Sequence, residues 1–280
     1  MAIDLDKIKA KLTNLSQSNN RKNYQWKPQP GKQQVRIVPY MHQPDNPFIE
    51  LFFHYGINNR TYLSPKSFGR PDPIVEFAEK LTRSGDKDDY RMGRSLMPKM
   101  RTFVPVIVRG EEAEGVRFWG FGKEVYQELL GVIADPDYGD ITDPVNGRDI
   151  TIEFLSAEEA GRSFPKTNIR VKPNTTPVSD NKNIADGVAN NQAEITEIYQ
   201  ELSYDDLKEA LEKWVSGESE EDAPPAESVS SDEVVVEETQ TEVKQPKVAS
   251  ATSEQSKPNA TSTEDVEAAL EELFKSYRRN

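Results

Sequence analysis

Rings and cations alternate along residues 90–123 in a pattern that suits contact with a polyanion carrying flat bases. Tyr90, Arg91, Arg94, Lys99, Arg101, Phe103, Arg109, Arg117, Phe118, Trp119, Phe121 and Lys123 all fall in this interval. Binding a single strand without reading its sequence takes two kinds of group. Cations must track the phosphates, and planar side chains must offer stacking platforms, since every base has a π-face. In a strand, successive side chains point to opposite faces. Arg117, Trp119 and Phe121 then share one face and Phe118 takes the other, so one face is expected to be core and the other a binding face. Trp119 beside Arg117, and Tyr90 in a polar loop, are the expected stacking rings, whereas Phe118 and Phe121 suit a core. Arg36, Arg60, Tyr62, Phe164 and Lys166 extend the path, with Phe164-Pro165-Lys166 as a loop clamp.

Other chemistry has no visible seat. There is no cysteine, so disulfides, thiolate zinc sites and a cysteine nucleophile are excluded. His42 and His54 are the only histidines and lack the companions a structural zinc needs. Asp135, Asp137, Asp140 and Asp143 crowd one turn-rich loop, but Pro136 and the misplaced Gly139 break the calcium-loop pattern. A two-metal nuclease would draw its carboxylates from separate strands. Gly31-Lys32 lacks the upstream glycine and following hydroxyl of a phosphate loop, and no nucleophile elbow occurs. The expectation is a non-enzymatic binder with no cofactor and no metal.

The elements that must position these residues are short strands with interspersed helices. Val35 to Val38, Phe48 to Tyr55, Met100 to Arg109 and Val116 to Phe121 are β-branched or aromatic runs bounded by turn residues. Asn58-Asn59 is a turn after which Arg60 to Leu63 returns antiparallel. Pro71 and Pro73 precede a helix whose Ile74, Phe77, Ala78 and Leu81 share one face. Ser84 to Pro98 reads as a polar loop. Lys123 to Ile133 reads as a helix burying Val125, Leu129, Leu130 and Ile133. Asp149 to Leu155 and Asn168 to Val171 complete the strands, Pro173 to Gln192 reads as a linker, and Glu194 to Leu202 with Tyr204 to Val215 reads as a helical pair. The expected fold is α+β and mainly β: an OB-fold-like Greek-key barrel with helical additions and a disordered acidic C-terminal tail.

Charge is divided along the chain. The total is −13, but residues 1–110 hold 19 Lys and Arg against 10 Asp and Glu, whereas residues 173–280 hold 9 against 25. A basic body with an acidic tail is the pattern of a nucleic-acid binder. Five segments are expected: a basic arm over 1–22, a binding core over 23–172, the linker and helical pair over 173–216, an acidic disordered tail over 217–262, and a docking helix over 263–280. The arm places Ile3, Leu5, Ile8, Leu12 and Leu15 near helical spacing with Lys7, Lys9 and Lys11 among them, followed by Arg21 and Lys22, and suits docking on a neighbouring subunit or on its own domain. In the last segment Val266, Leu270, Leu273, Phe274 and Tyr277 form an apolar stripe suited to a partner's groove. No apolar run reaches membrane-spanning length and no signal-peptide h-region opens the chain, so a soluble protein inside a cell is expected.

The order of several short segments resembles the helix-destabilising single-stranded DNA-binding proteins of T-even-type tailed phages. These are Tyr24-Gln25-Trp26, Val35 to Pro39, Phe53-His54-Tyr55-Gly56, Phe103 to Val108, Trp119 to Tyr126 and Asp137 to Asp140. The resemblance covers roughly residues 1–215. It implies an OB-fold core that coats single-stranded DNA in replication, recombination and repair, in the cytoplasm of an infected bacterial host. It also implies self-association on DNA through the arm, and a tail recruiting DNA polymerase, helicase-loading and recombination-mediator proteins. By position, Tyr90, Arg94, Lys99, Arg101, Phe103, Trp119 and Lys123 would be the strand-binding set. Well-known members hold a zinc with one histidine and three cysteines; His54 stands at that histidine, but residues 65–75 contain no cysteine, so the metal site is expected to be lost and its subdomain held by Ile74, Phe77 and Leu81. Two rival readings use the same residues: a nonspecific RNA-binding regulator, and a scaffold whose working part is the C-terminal helix.

Overall fold

The computed structural model describes residues 24–199 and 201–217. The arm with Lys7, Lys9, Lys11, Arg21 and Lys22, the acidic tail after Gly217, and the stripe Val266, Leu270, Leu273, Phe274 and Tyr277 lie outside the described residues. No helix among the described residues is long and apolar enough to cross a membrane.

Among the described residues eight strands form one mixed sheet: β1 (Gln25–Trp26), β2 (Gly31–Ile37), β3 (Ile49–Ile57), β4 (Arg60–Leu63), β5 (Lys99–Val108), β6 (Arg117–Phe121), β7 (Arg148–Leu155) and β8 (Lys166–Thr175). Among the described residues seven α-helices accompany them: α1 (Pro73–Arg83), α2 (Lys87–Leu96), α3 (Lys123–Ala134), α4 (Ala157–Ala160), α5 (Lys182–Asn190), α6 (Ile195–Ile198) and α7 (Tyr204–Ser216). The strand order is β1-β6-β5-β2-β7-β8, with the β3–β4 hairpin joined to β5. The α+β class follows the sequence expectation. Asn58 and Asn59 form the hairpin turn with φ of 50° and 54°, the left-handed pair that a tight two-residue hairpin requires.

β5 is the hub. One edge holds β6, from Thr102 opposite Phe121 to Val106 opposite Arg117. The other edge serves β3 as far as Phe103 and then β2 from Val106. Pro105, which has no N–H to donate, sits at that handover, where its carbonyl still accepts from Val38 N–H at 3.0 Å. A proline elsewhere on this central strand would break a ladder bond.

Both faces of β5 and β6 are buried. Val104, Val106, Trp119 and Phe121 pack inward with Trp26, Val35, Ile150 and the Val125 and Leu129 face of α3. Phe103 and Phe118 pack on the opposite face with Phe53, Ile195, Ile198 and Tyr199, while Ile107 meets Val178 and Val188. Part of the cover for that second face comes from residues expected to be a linker: Pro173 to Gln192 completes β8 and forms α5, corrected here because Val178 and Val188 find apolar partners. A third cluster joins Ile57 and Tyr62 of the hairpin to Ile74, Phe77 and Leu81 of α1 and to Leu207, Leu211 and Val215 of α7.

Two further expectations are corrected. Ser84 to Pro98 is mostly helix α2, capped by Asp86, whose side chain accepts from the N–H groups of Asp88 and Asp89. Gly93, which argued against a helix, is what lets α2 press on α1: a Cβ there would lie 2.6 Å from the Ala78 carbonyl oxygen. Leu130 and Ile133, expected to be buried, are 42% and 38% exposed, because α3 is inclined to bury only Val125 and Leu129 fully.

Arg36 belongs to a buried ionic node. Its Nε donates to Asp149 Oδ1 at 3.0 Å and its Nη2 to the Thr176 carbonyl at 2.7 Å. Arg109 Nη2 reaches the same carboxylate oxygen at 2.8 Å, and its Nη1 donates to the Val178 carbonyl at 2.6 Å. One carboxylate thus ties β2, β5 and β7 to the segment after β8. Burial lowers the Arg36 pKa, with Asp149 working against that shift. Removing a partner from a buried pair strands a charge and costs about 3–5 kcal/mol. Asp149→Ala should therefore lose stability of that order in denaturant unfolding. Glu153→Ala, which breaks the exposed Lys32–Glu153 pair, should change it by under about 1 kcal/mol.

Candidate nucleic-acid interface

The exposed part of the residue 90–123 set starts on α2. Asp89, Gly93 and Leu96 face inward. Lys87, Tyr90, Arg91 and Arg94 are therefore turned outward at helical spacing, and Tyr90 is 51% exposed. Arg91 lies 3.3 Å from Asp88, but both side chains are mostly in water, so the pair contributes little.

The cationic ridge continues onto β5. Lys99 lies opposite Phe53, and Arg101 opposite Leu51. Because Thr102 pairs with Phe121, Lys123 two residues further on comes to the same end of the β5–β6 pair. Arg101 Nη2 donates to the Gly120 carbonyl at 2.9 Å, while its Nε has no partner. Gly120 is required here, since a Cβ would meet the Phe103 ring at 2.7 Å and Arg101 Nε at 3.1 Å. Tyr55 of β3 stands beside this guanidinium and is half-buried; burial raises its hydroxyl pKa, and Arg101 partly offsets that. Tyr55 was not among the rings that the sequence offered for stacking, yet it stands half-buried beside Arg101. Its place one residue before Gly56, at the rim of a strand, was the available signal.

Among the described residues Lys87, Arg94, Lys99, Arg101 and Lys123 make no ion pair with a carboxylate, whereas Arg36, Arg70, Arg83, Arg109 and Arg117 do. Cations left without counter-charge at one end of a strand pair and along the adjoining helix form a local positive field on a chain of net charge −13.

The structure does not bring the whole expected set to this ridge. Trp119, Phe103 and Phe121 are 1%, 1% and 2% exposed, and Tyr62 is buried beside α1, so none presents a ring to solvent. Trp119 instead sets its edge against Trp26 and Phe121 at centroid distances of 6.2 and 4.6 Å. The expectation that one face of β6 must be open fails because α3 covers one face and residues 192–199 the other. Arg36 is in the ionic node, Arg117 is held by Glu111 at 2.5 Å, and Arg60 is half-buried on β4. Phe164 and Lys166 are exposed but lie at β8, the third strand from β5.

A metal does not fit at His54. Its Nδ1 faces the Leu96 carbonyl at 2.7 Å and its Nε2 faces Asp72 Oδ2 at 2.9 Å, so neither nitrogen offers a free lone pair. Ser64 Oγ donates to the same Asp72 oxygen, and Asp72 Oδ1 caps α1 by accepting from Ile74 and Val75 N–H. Burial pushes the Asp72 carboxyl up, but these hydrogen bonds outweigh it and hold the group below its ordinary value. The node links β3, the end of β4, α1 and α2. Among the described residues no group of three or more His, Cys, Asp or Glu side chains could hold a metal ion.

Burial separates stability from binding. Trp119→Ala should lower unfolding free energy by about 3–5 kcal/mol. Tyr90→Ala should leave stability within about 0.5 kcal/mol and weaken single-strand binding by about 1–3 kcal/mol, read by titration with oligo-dT.

No curated protein matches the chain. A family model described as gp32 DNA binding protein like matches residues 29–215, which includes α2, the β5–β6 ridge and the helix α7 that closes the subdomain. The match spans more than half of the chain, and the protein belongs to the gp32-like family of DNA-binding proteins.

Proposed function

We propose that the protein is a non-enzymatic coat for single-stranded DNA that binds without sequence preference. The observation that carries this reading is the run of unpaired cations from Lys87 through Arg94, Lys99 and Arg101 to Lys123, with Tyr90 and Tyr55 beside them. Phosphates follow the cations while bases stack on the two rings, so affinity comes from backbone charge and π-faces rather than base edges. Family membership supports DNA as the ligand.

The finer reading places the coat in phage-type DNA replication, recombination and repair, in the cytoplasm of an infected bacterial host. Copies associate along the strand through the arm with Lys7, Lys9, Lys11, Arg21 and Lys22. The acidic tail competes for the ridge until DNA displaces it, because residues 173–280 carry 25 acids against 9 bases. The stripe Val266, Leu270, Leu273, Phe274 and Tyr277 docks on DNA polymerase, helicase-loading or recombination-mediator proteins. The residual surface path through Arg60, Phe164 and Lys166 contributes less, since those residues lie away from the ridge.

Titration of the chain with oligo-dT at several salt concentrations tests this. Log affinity should fall linearly with log salt, at about 0.7 per phosphate contact on a single strand. Replacing Arg94, Lys99 and Lys123 together by Gln should reduce the slope by about 2 without altering thermal stability. A chain ending at residue 216 should bind more tightly than the full chain at low salt. No binding by either chain at low salt would refute the reading, and an unchanged slope in the triple variant would remove the ridge from it.

A further inference from the structure

We propose that His54 is the positioning residue of the cationic ridge: the bond from its Nδ1 to the Leu96 carbonyl sets the angle at which α2 meets β5, and with it the spacing of Tyr90 and Tyr55. This rests on the reading of the chain as a single-strand coat and adds to it the group that holds the binding surface in register.

The end of α2 presents a group that the helix itself cannot satisfy. The last carbonyls of a helix have no intrahelical partner. Met97 leaves the helix in an extended conformation with ψ of 137°, and Pro98 has no N–H with which to close the turn. Leu96 is buried at this corner, and its carbonyl accepts instead from a side chain of β3, with His54 Nδ1 2.7 Å away. Nδ1 is the donor, because a carbonyl oxygen only accepts. On the far side of the ring Nε2 meets Asp72 Oδ2 at 2.9 Å, and Asp72 Oδ1 caps α1. One imidazole therefore spans the C-terminus of α2 and, through Asp72, the N-terminus of α1.

The place of His54 on β3 couples this corner to the ridge. Side chains alternate across a strand. Phe53 and Tyr55 pack on the face shared with Phe103 and Tyr199, while His54 between them turns to the opposite face and meets the helix ends. Lys99 pairs with Phe53. The partner of Lys99, the clamp and the stacking ring are thus consecutive residues. α2 also packs through Met92, Leu96 and Met97 on the cluster that joins α1 to α7. Apolar contact is non-directional, whereas a hydrogen bond holds only over a narrow range of angles. Tyr90 stands six residues before Leu96, about 9 Å along the helix, so a tilt of about 20° at the corner moves its ring by about 3 Å. That displacement is comparable with the spacing of stacked bases and would take the ring out of the strand's path.

The test separates the two nitrogens of the ring. In His54→Asn the side-chain amide N–H stands near the place of Nδ1 and keeps the Leu96 bond; in His54→Gln it stands near Nε2 and keeps only the Asp72 bond. The chain has no cysteine, so Arg91→Cys on α2 with Ile133→Cys on α3 supplies two exposed sites for spin labels. The distance between the labels should stay as sharp in the Asn chain as with His54 and broaden in the Gln chain. In full chains without labels, oligo-dT affinity should stay within about two-fold for Asn and fall about five-fold or more for Gln, the loss of one stacked base. Tyr90→Ala placed in the Gln chain should then cost under about two-fold, because the ring it removes is already displaced. Equal label distances in the Asn and Gln chains would overturn the inference, as would a full cost of Tyr90→Ala in the Gln chain. A Gln chain that does not fold would make the bond a condition of folding and would overturn it too. Where the Asn chain does not fold, Ser64→Ala, which thins the node at Asp72 alone, takes its place with the same expectation. Failure of the unaltered chain to bind oligo-dT would refute the single-strand reading, while the label distances still decide the clamp.

Discussion

The pairing of β5 with three strands is the constraint from which the rest of the domain follows. One edge carries β3 and then β2, the other carries β6, and Pro105 marks the handover where no donor is needed. A strand used this way must lie at the centre of the molecule, and so both of its faces have to be covered. α3 covers one, and α5 and α6, returning from residues 182–198, cover the other. No open face of β5 or β6 is then left for a ligand. What remains accessible is the end of β5, where Lys99 and Arg101 emerge beside Lys123, and the outer surface of α2 next to it.

Charge is sorted by the same geometry. Arginines at the C-terminal ends of β2 and β5 are consumed structurally: Arg36 and Arg109 share Asp149, and both reach carbonyls of residues 176–178. That node also fixes the glycine before β7, since a Cβ at Gly147 would lie 2.3 Å from the Asp143 carbonyl oxygen. Lys99, Arg101 and Lys123 at the strand end, and Lys87 and Arg94 on α2, make no ion pair with a carboxylate among the described residues. An ion pair here would weaken the local field; its absence leaves the positive charge uncompensated by the protein. The subdomain bearing α2 is held in place by apolar packing on α7 and by the His54–Asp72–Ser64 hydrogen bonds, which fix α1 against β3 and β4.

Elements with one strong period were legible in the sequence. α1 announced itself by Pro73 and the Ile74, Phe77, Leu81 stripe, and the β3–β4 turn by Asn58-Asn59. α2 was hidden because its charges and Gly93 look like a loop until the helix it packs on is known. The burial of Trp119 and Phe103 was hidden for a different reason. Alternation along β6 says that two faces exist, but the residues that cover the second face are Ile195, Ile198 and Tyr199, far along the chain. Arg36 carried a usable signal: a lone cation inside Val35-Arg36-Ile37-Val38 needs a buried partner, and Asp149 opens the neighbouring strand. Of the ring and cation pattern in residues 90–123, Arg91, Arg94 and Lys99 are exposed while Arg109 and Arg117 are paired with carboxylates, and Trp119 and Phe103 are core where open rings were expected. Of the rings Tyr90 is exposed, while the others form the core.

The central claim is that DNA lies along α2 and the end of β5 and not against the aromatic interior. Photocrosslinking with a single strand carrying 4-thiothymidine, followed by mass-spectrometric mapping of the attached residues, tests it most directly. Crosslinks should concentrate on Tyr90 and Tyr55 and on the segments that contain Arg94 and Lys99, with none on Trp119 or Trp26. Crosslinks confined to Trp119, or to Phe164 and β8 with α2 left unmarked, would contradict the account.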